Sequence, residues 1–157
     1  MAIEEVKKYL KLYNKEFEIR ELDTSSATVE LAAQALDVIP ARIAKTLSFK
    51  KEDSCILIVT AGDTKIDNKK FKQEFSIKAK MLSPDEVYEL TGHAVGGVCP
   101  FGLKREDIQV YCDISMKRFD TVFPACGSSN SAIELTCEEL FKIARCQKWV
   151  DVCSVRE

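Results

Sequence analysis

Residues Thr91–Gly102 read Thr-Gly-His-Ala-Val-Gly-Gly-Val-Cys-Pro-Phe-Gly, a stretch that no regular helix or central strand would accommodate. It contains four of the six glycines and the only histidine of the chain. Glycine tolerates a positive φ and lets a ligand approach the backbone closely, and proline stiffens the exit of the loop. The stretch therefore predicts a bent loop, which is either a binding surface or a long turn between a helix and a strand.

The elements on either side of this loop alternate irregularly between helix and strand. Helical spacing predicts helices over residues 2–13, 29–36 and 84–90, a short helix from Asp67, and a last helix after Thr136. The predicted N-caps are Thr28, preferred among the hydroxyl residues of 24–28, together with Ser83 and Thr136. Period-two alternation and short apolar runs predict strands over residues 16–22, 43–50, 55–60, 78–82, 108–114, 121–126 and 131–135. This order lacks the regular rhythm of a doubly wound sheet, so the sequence predicts the α+β class.

The composition of the chain indicates a soluble globular protein. Of its residues, 46% are hydrophobic and 31% charged, as in other globular proteins. Its length of 157 residues predicts a single domain over residues 1–157. No apolar run approaches the ~20 residues of a membrane span, and an acidic start argues against a signal peptide. We therefore expect a cytoplasmic protein with no membrane partner. A net charge of −2 argues against a protein that coats DNA or other nucleic acid.

The seven cysteines do not form a recognisable motif. They include no Cys-x-x-Cys pair, and their odd number rules out complete internal pairing. With one histidine in the chain, a zinc cluster is not expected, and neither a metal nor a cofactor is predicted. We expect most of the cysteines to be reduced, small core residues.

Lys45 is a candidate functional residue because of its place in a predicted strand. Alternate positions from Ile43 to Phe49 face the same way, so Lys45 shares a face with three apolar residues. A buried ammonium is costly unless it meets a carboxylate, a phosphate or a substrate carbonyl in a polar cavity. The alternative is that the strand begins only at Leu47 and that Lys45 reaches solvent.

A cluster of lysines follows in residues 65–80. The six lysines there outnumber Asp67 and Glu74, although the whole chain is nearly neutral. They indicate either the solvated face of a helix or a local contact with nucleic acid. The candidates for that contact are Lys65, Lys69 and Lys70.

Four motifs together are more specific than any one of them. They are Ala44-Lys45-Thr46-Leu47 before a buried strand, Ala61-Gly62-Asp63 after it, the loop Gly92–Gly102, and Val122-Phe123-Pro124-Ala125-Cys126-Gly127-Ser128. In this order and spacing the sequence resembles the YbaK/EbsC-type aminoacyl-tRNA editing proteins, which are free-standing relatives of the editing domain in bacterial prolyl-tRNA synthetase. The resemblance covers nearly the whole chain.

This resemblance implies a mixed, barrel-like β-sheet flanked by helices, with a cavity for the aminoacylated end of a tRNA. The expected activity is a deacylase that removes a wrong amino acid by attack of water on the ester. The family's key lysine corresponds to Lys45, and its Gly-x-x-x-Pro loop corresponds to Gly96–Pro100, with main-chain groups of Gly96 and Gly97 in the catalytic set. The further cavity residues that it implies are His93, Val95, Pro100, Thr28, Gly127 and Ser128.

The resemblance also carries expectations about substrate and partners. The chain has Ala132 where cysteinyl-tRNA deacylases of the family carry aspartate, and it has a histidine at position 93 where they do not. The expected substrate is therefore a small amino acid such as alanine or cysteine on proline tRNA, with alanine favoured. The partners would be the acceptor end of aminoacyl-tRNA and, in addition, an aminoacyl-tRNA synthetase.

Three other functions compete with editing. Cys99 and His93 lie six residues apart and would suit a Cys-His hydrolase, although no acid is evidently placed to orient the imidazole. A non-catalytic module that holds a tRNA end or a synthetase would use the same loop and lysines. A phosphate-binding loop is less favoured, since Gly96 and Gly97 neither follow a strand nor open a helix.

Overall fold

A computed structural model describes residues 2–156, which form five α-helices and ten β-strands. The helices are α1 (Ala2–Lys11), α2 (Val29–Leu36), α3 (Asn68–Phe75), α4 (Pro84–Thr91) and α5 (Cys137–Ile143). The strands are β1 (Arg20–Glu21), β2 (Ile43–Lys51), β3 (Ser54–Ala61), β4 (Thr64–Ile66), β5 (Gln109–Asp113), β6 (Thr121–Pro124), β7 (Ser131–Ala132), β8 (Leu135–Thr136), β9 (Trp149–Val150) and β10 (Cys153–Val155). Among these residues, no helix combines the length and apolarity needed to cross a membrane.

Six of the strands form one mixed sheet in the order β8-β6-β2-β3-β5-β9. Its centre is the antiparallel hairpin of β2 and β3, while β6 joins β2, β5 joins β3 and β9 joins β5 in parallel. The sheet curls into a half-barrel, and two small sheets, β1-β7 and β10-β4, lie beside it. The predicted α+β class and barrel-like sheet are both confirmed.

Strand β3 is buried on both faces. Leu57 and Val59 belong to the main hydrophobic core, whereas Ile56 and Ile58 belong to a second cluster together with Phe49 and Phe71. A strand that is buried on both faces has apolar side chains at successive positions, instead of alternating apolar and polar ones. This explains the continuous apolar run that predicted it.

The predicted N-caps of three helices are confirmed. Thr28 Oγ1 accepts a hydrogen bond from the backbone N–H of Leu31 at 3.2 Å, at the start of α2. Ser83 and Thr136 each form a complete capping box with the glutamate three residues later, at the starts of α4 and α5. Each cap satisfies backbone donors that the first turn leaves free, which fixes where these helices begin.

Several predicted strands are wrong in extent. Residues 78–82 form no strand, and Met81 makes only an isolated bridge to Phe49. Within residues 16–22 only Arg20 and Glu21 pair as a strand, β1. Residues 16–18 form a 3-10 helix instead, and Phe17 is 90% exposed. The strand expected over residues 131–135 is divided into β7 and β8, which pair with different partners.

The first helix and the shortest strands also depart from prediction. Helix α1 ends at Lys11, before the expected end at residue 13. Strands β4, β9 and β10 contain three, two and three residues and were not predicted. So short a strand shows at most one full alternation of side chains, which leaves its sequence without a periodic signal.

The turn between β3 and β4 packs tightly against the segment that precedes β2. A Cβ atom on Gly62 would lie 2.2 Å from the backbone oxygen of Pro40 and 2.8 Å from Val29 Cγ1. Only glycine permits this approach. The close contact joins the β3–β4 turn to the start of β2 and to α2.

We expect Gly62→Ala to destabilise the protein by ~1–3 kcal/mol, the usual cost of forcing extra volume into a packed site. The backbone oxygen of Pro40 cannot move away as a flexible side chain would. The midpoint of urea or thermal unfolding measures the effect. Lys65→Ala, at an exposed position of neighbouring β4, is the control. Equal stability of the two variants would show that the turn is free to move.

Candidate active site

One edge of β2 is only partly covered by neighbouring chain. Among the described residues, β6 pairs with β2 only at Ile43 and Ala44. Further along the same edge, Leu82 N–H donates to Ser48 O at 3.2 Å and Lys50 N–H donates to Lys80 O at 2.8 Å. The sheet edge is therefore open between these two contacts.

Thr46 lies in the middle of this opening. Successive residues of a strand direct their N–H and C=O groups to opposite edges. The backbone groups of Ser48 and Lys50 point away from β3. Thr46 is two residues before Ser48, so its backbone N–H and C=O point away from β3 as well. We infer that a backbone donor and a backbone acceptor of Thr46 face the opening.

A cavity of about 280 Å³ occupies this part of the molecule. Its walls come from β2, from α2 and the segment before it, from the start of α4, from the glycine loop and from β6 to β7. Val95 and Met81 line it and are 64% and 58% exposed, so the cavity opens to solvent beside them. The apolar part of the wall includes Ala27, Ala32, Ile43, Ala44, Val87 and Phe123.

Lys45 lines the cavity and is half-buried. Strand β2 begins at Ile43, so Lys45 belongs to the strand, as its alternation predicted. Its Nζ donates a hydrogen bond to the backbone oxygen of Thr64 in β4. Burial, together with the positive charge of Arg156, lowers the pKa of Lys45 below its ordinary value.

A network of hydroxyl groups fixes the carbonyl that receives Lys45. Thr64 Oγ1 donates to Ala61 O at 2.7 Å and lies 2.8 Å from Thr60 Oγ1, and both threonines are fully buried. The Thr60 hydroxyl also lies 3.0 Å from Ser115 Oγ. Because the network holds Thr64 in place, it also limits the positions open to the Lys45 ammonium.

Asp63, in the same turn, is paired with Arg118. The guanidinium donates to both carboxylate oxygens, at 2.6 and 3.0 Å, and holds the pKa of Asp63 below its usual range. A carboxylate engaged in this bidentate way is a structural anchor for the turn. The pair leaves Lys45 bonded to a backbone oxygen instead of a carboxylate.

Within the glycine loop, Gly96 and Val98 reach the cavity wall. Gly96 has a φ of 97°, in the left-handed region that glycine adopts at little cost. Gly97, predicted as catalytic, is not among the lining residues. Its N–H donates to Ala94 O and its C=O accepts from Gly127 N–H, both at 3.0 Å. Its main-chain groups are therefore already used within the protein.

Gly97 has a steric role where the loop meets the turn after β6. A Cβ atom on Gly97 would lie 2.7 Å from both Gly127 C and Ser128 N. The loop and the Gly127-Ser128 turn, which the resemblance implies as parts of one cavity wall, are in direct contact. Ser128 itself does not line the cavity, but its Oγ lies 2.6 Å from Oγ of Ser131, which does.

The other expected wall residues divide into two groups. Val95 and Thr28 line the cavity, although the Thr28 hydroxyl is engaged as the N-cap of α2. Pro100 is buried and lies outside the lining. It stiffens the loop behind the cavity instead.

His93 is not at the edge of the cavity, where it was expected. It is 1% exposed, and its Nε2 lies 2.7 Å from the backbone oxygen of Phe101. This contact requires the proton on Nε2, while Nδ1 has no partner among residues 2–156. Burial lowers the pKa of His93, so the ring is neutral and ties one end of the loop to the other.

The same contacts argue against a Cys-His hydrolase. Cys99 Sγ lies 3.6 Å from His93 Nε2, but that nitrogen carries the proton donated to Phe101. Cys99 is completely buried, and burial raises the pKa of its thiol to about 12. A nucleophilic thiol needs access and a depressed pKa. Nor do residues 2–156 contain a cluster of three or more His, Cys, Asp or Glu placed to bind a metal.

The three candidate tRNA-binding lysines lie on the surface near β4 and α3. Lys65 and Lys69 are exposed, whereas Lys70 pairs with Asp151 at 3.1 Å and also donates to Cys153 O. Lys65 adjoins Thr64, the residue that accepts from Lys45. Arg156 lines the same surface groove as Lys65, and its positive charge acts on Lys45.

Sequence reasoning missed two polar residues of the cavity wall, Ser26 and Thr46. Ser26 lies in the hydroxyl run of residues 24–28, which is typical of a helix N-cap, and Thr46 is the residue after Lys45. Neither has a periodic or motif signal of its own. Their proximity depends on where β6 stops pairing with β2.

Comparisons with known proteins identify the family of the chain. The family model described as "Aminoacyl-tRNA editing domain" matches residues 23–143. The chain belongs to this family. It is 57% identical to the uncharacterized protein YwhH of Bacillus subtilis (strain 168) over 154 residues, which cover 98% of each chain.

Two further similar proteins have prolyl-tRNA synthetase in their own descriptions. The proline–tRNA ligase of Bacillus licheniformis is 32% identical over 102 residues, which are 64% of this chain but only 18% of the ligase. A crystal structure described as a "putative trans-editing enzyme for prolyl tRNA synthetase" has 27% identity and a TM-score of 0.87, and covers 98% of this chain and 97% of its own. The predicted kinship with the prolyl-tRNA synthetase editing domain is confirmed.

We expect the burial of His93 to make stability depend on pH. Its pKa is lowered in the folded state, so the unfolded chain takes up the proton first as the pH falls below about 6.5. The free energy of unfolding should therefore decrease with falling pH in that range and be unaffected by His93 above it. His93→Gln retains a donor for Phe101 and removes the titration. The free energy of unfolding in urea is measured at pH 8 and at pH 5 for the wild type and for His93→Gln. An equal decrease in the two proteins would contradict a neutral, buried imidazole.

Proposed function

We propose that the protein is a trans-editing deacylase that hydrolyses the ester of a mischarged aminoacyl-tRNA. The observation that carries the proposal is that Lys45 and Gly96, which match the family's motifs, line one cavity of about 280 Å³ that opens to solvent. On this proposal the whole chain acts as one editing domain. Because its substrate is aminoacyl-tRNA, we place the protein in the cytoplasm.

The proposed chemistry needs little from the protein. An aminoacyl ester is already activated, so the main requirements are to position a water molecule and to stabilise the developing oxyanion. The Lys45 ammonium holds the ester or a nearby phosphate, and a ribose hydroxyl of the substrate shares the proton transfer. Since the N–H of Gly97 is used internally, the loop's contribution comes from Gly96 and Val98.

The size of the cavity supports a small aminoacyl group. Small-molecule pockets usually measure ~300–1,000 Å³, and this one is just below that range. The kinship with proline–tRNA ligases suggests proline tRNA as the carrier. We propose a small residue such as alanine or cysteine, attached in error to that tRNA, as the substrate class.

The charge distribution supports approach of the acceptor end from one side. Lys65 follows Thr64, whose carbonyl binds Lys45, and Arg156 lines the same surface groove as Lys65. Lys69 is exposed in the neighbouring helix α3. Phosphate contacts of this kind position nucleic acid without reading its sequence. Recognition of the tRNA itself would then come from the rest of the acceptor stem or from a partner synthetase.

We expect Lys45→Ala to reduce deacylation of the preferred mischarged tRNA by at least ~100-fold, the effect of losing a preorganised charge at a reacting ester. Lys50→Ala removes the same charge from an exposed position of the same strand and serves as the control. The measurement is loss of label from aminoacyl-tRNA, with circular dichroism to check the fold. Full activity of Lys45→Ala would refute the catalytic assignment, and retention of charged tRNA with no turnover by the wild type would indicate a binding module.

The lowered pKa of Lys45 predicts the alkaline limit of activity. If the ammonium form is required, kcat above the buffer rate should fall before pH 10.5, the ordinary value for lysine. Arg156→Gln removes a nearby positive charge that favours deprotonation, so it should move this limb to higher pH. Arg105→Gln, which removes an arginine that contacts Asp107 and Asp53, is the control. An identical limb in all three proteins would contradict the coupling of the titrating group to Arg156.

A further inference from the structure

Two cysteines that the proposed function does not use lie side by side near the β9 edge of the sheet. Cys112 Sγ, in β5, is 2.7 Å from Cys146 Sγ, in the segment that joins α5 to β9. All seven cysteines of the chain lie within residues 2–156 and are free thiols. The sulfur atoms of a disulfide are ~2.05 Å apart, so these two need to approach by only ~0.7 Å to form one.

Backbone hydrogen bonds hold the two segments next to each other. Cys112 N–H donates to Lys148 O at 3.4 Å. Gln147, the residue after Cys146, donates its N–H to Val110 O at 2.8 Å. The fold itself therefore brings together two side chains that are 34 residues apart in the sequence.

The two thiols differ in their access to solvent. Cys112 is completely buried in the main hydrophobic core, whereas Cys146 is partly exposed. Thiol–disulfide exchange needs access of the oxidant to the first thiol, and it passes through a mixed disulfide that a second thiol can resolve. In this pair, Cys146 is the thiol that an oxidant reaches first, and Cys112 is placed to resolve the mixed disulfide.

A third thiol nearby, that of Cys137, has a different partner. Its Sγ donates to the backbone oxygen of Met116 at 3.3 Å. Cys137 is partly exposed, as Cys146 is, and it lines a surface groove together with Trp149. It therefore has access to an oxidant but, among residues 2–156, no sulfur atom as a hydrogen-bond partner.

We propose that Cys112 and Cys146 are a redox modification site, at which a low-molecular-weight disulfide forms a reversible bond between β5 and the segment after α5. The Cys146 thiolate attacks one sulfur of the small disulfide, whose S–S bond breaks and releases one small thiolate. The Cys112 thiolate then attacks Cys146 Sγ in the mixed disulfide and releases the second small thiolate. The two cysteine protons pass to the two released thiolates. Two cysteine thiols are thus oxidised, and one small disulfide is reduced to two thiols.

This inference goes beyond the proposed deacylase and does not depend on it, because neither cysteine lines the cavity. The bond would close a loop over residues 112–146, which contains β6, β7, β8 and α5. Closing such a loop restricts the unfolded chain and so favours the folded one. Reducing thiols of the cytosol reopen a bond of this kind, so it forms when the small-thiol pool becomes oxidised.

The test treats the folded protein with oxidised glutathione and maps the products by peptide mass spectrometry. We expect a cross-linked pair of peptides that contain Cys112 and Cys146, with the mass of two hydrogen atoms lost, and recovery of both thiols with dithiothreitol. Cys112→Ala should stop at a mixed disulfide on Cys146, and Cys146→Ala should leave Cys112 unmodified. Cys137→Ala is the matched control and should form the same cross-link as the wild type.

Thermal unfolding shows whether the bond fits the native fold. We expect the midpoint of the oxidised wild type to lie ~5 °C or more above that of the reduced protein, and the midpoint of Cys146→Ala to be unchanged by the oxidant. A lower midpoint after oxidation, or a cross-link that forms only in urea, overturns the proposal. So does a cross-link through Cys137, or a mixed disulfide on Cys146 of the wild type that Cys112 does not resolve.

Discussion

The antiparallel ladder between β2 and β3 continues from Ala44 opposite Ala61 to Lys51 opposite Ser54, and the candidate site depends on it. Because β3 is buried on both faces, this ladder is held by apolar contacts from two clusters. One edge of β2 is fully paired, so the other edge can remain partly open without loss of the strand. The cavity, Lys45 and Thr46 all occupy that open edge.

Close backbone approach keeps the opening in shape. Gly62 brings the β3–β4 turn against Pro40, and Gly97 brings the loop against the turn at Gly127. Neither contact leaves room for a Cβ atom, so two positions of the sequence motifs are explained by packing alone. Gly96 differs from them, since it reaches the cavity and has a positive φ.

Prediction from sequence was reliable where the signal was local and repeated. The nine residues of β2 give enough alternation to place Lys45 on the strand, and cap residues located the starts of α2, α4 and α5. The place of His93 could not be predicted in this way, because its burial depends on the far end of the loop at Phe101. Equally, the place of Thr46 at an open sheet edge depends on how far β6 pairs with β2, which no neighbouring residue reveals.

The polar groups of the cavity are difficult to explain by folding alone. An unsatisfied buried hydroxyl costs ~1–3 kcal/mol, and a domain of ordinary stability has only ~5–15 kcal/mol in total. The buried hydroxyls of Ser26 and Thr46 have no hydrogen-bond partner among residues 2–156. Replacing these two residues by apolar ones of similar size would remove that cost without disturbing the N-cap at Thr28 or the pairing of β2 with β3. The half-buried ammonium of Lys45 is a further burden, because its pKa is lowered by burial. The proposed deacylase function gives a reason to keep the most costly of these groups, because the Lys45 ammonium belongs to a residue that lines the cavity.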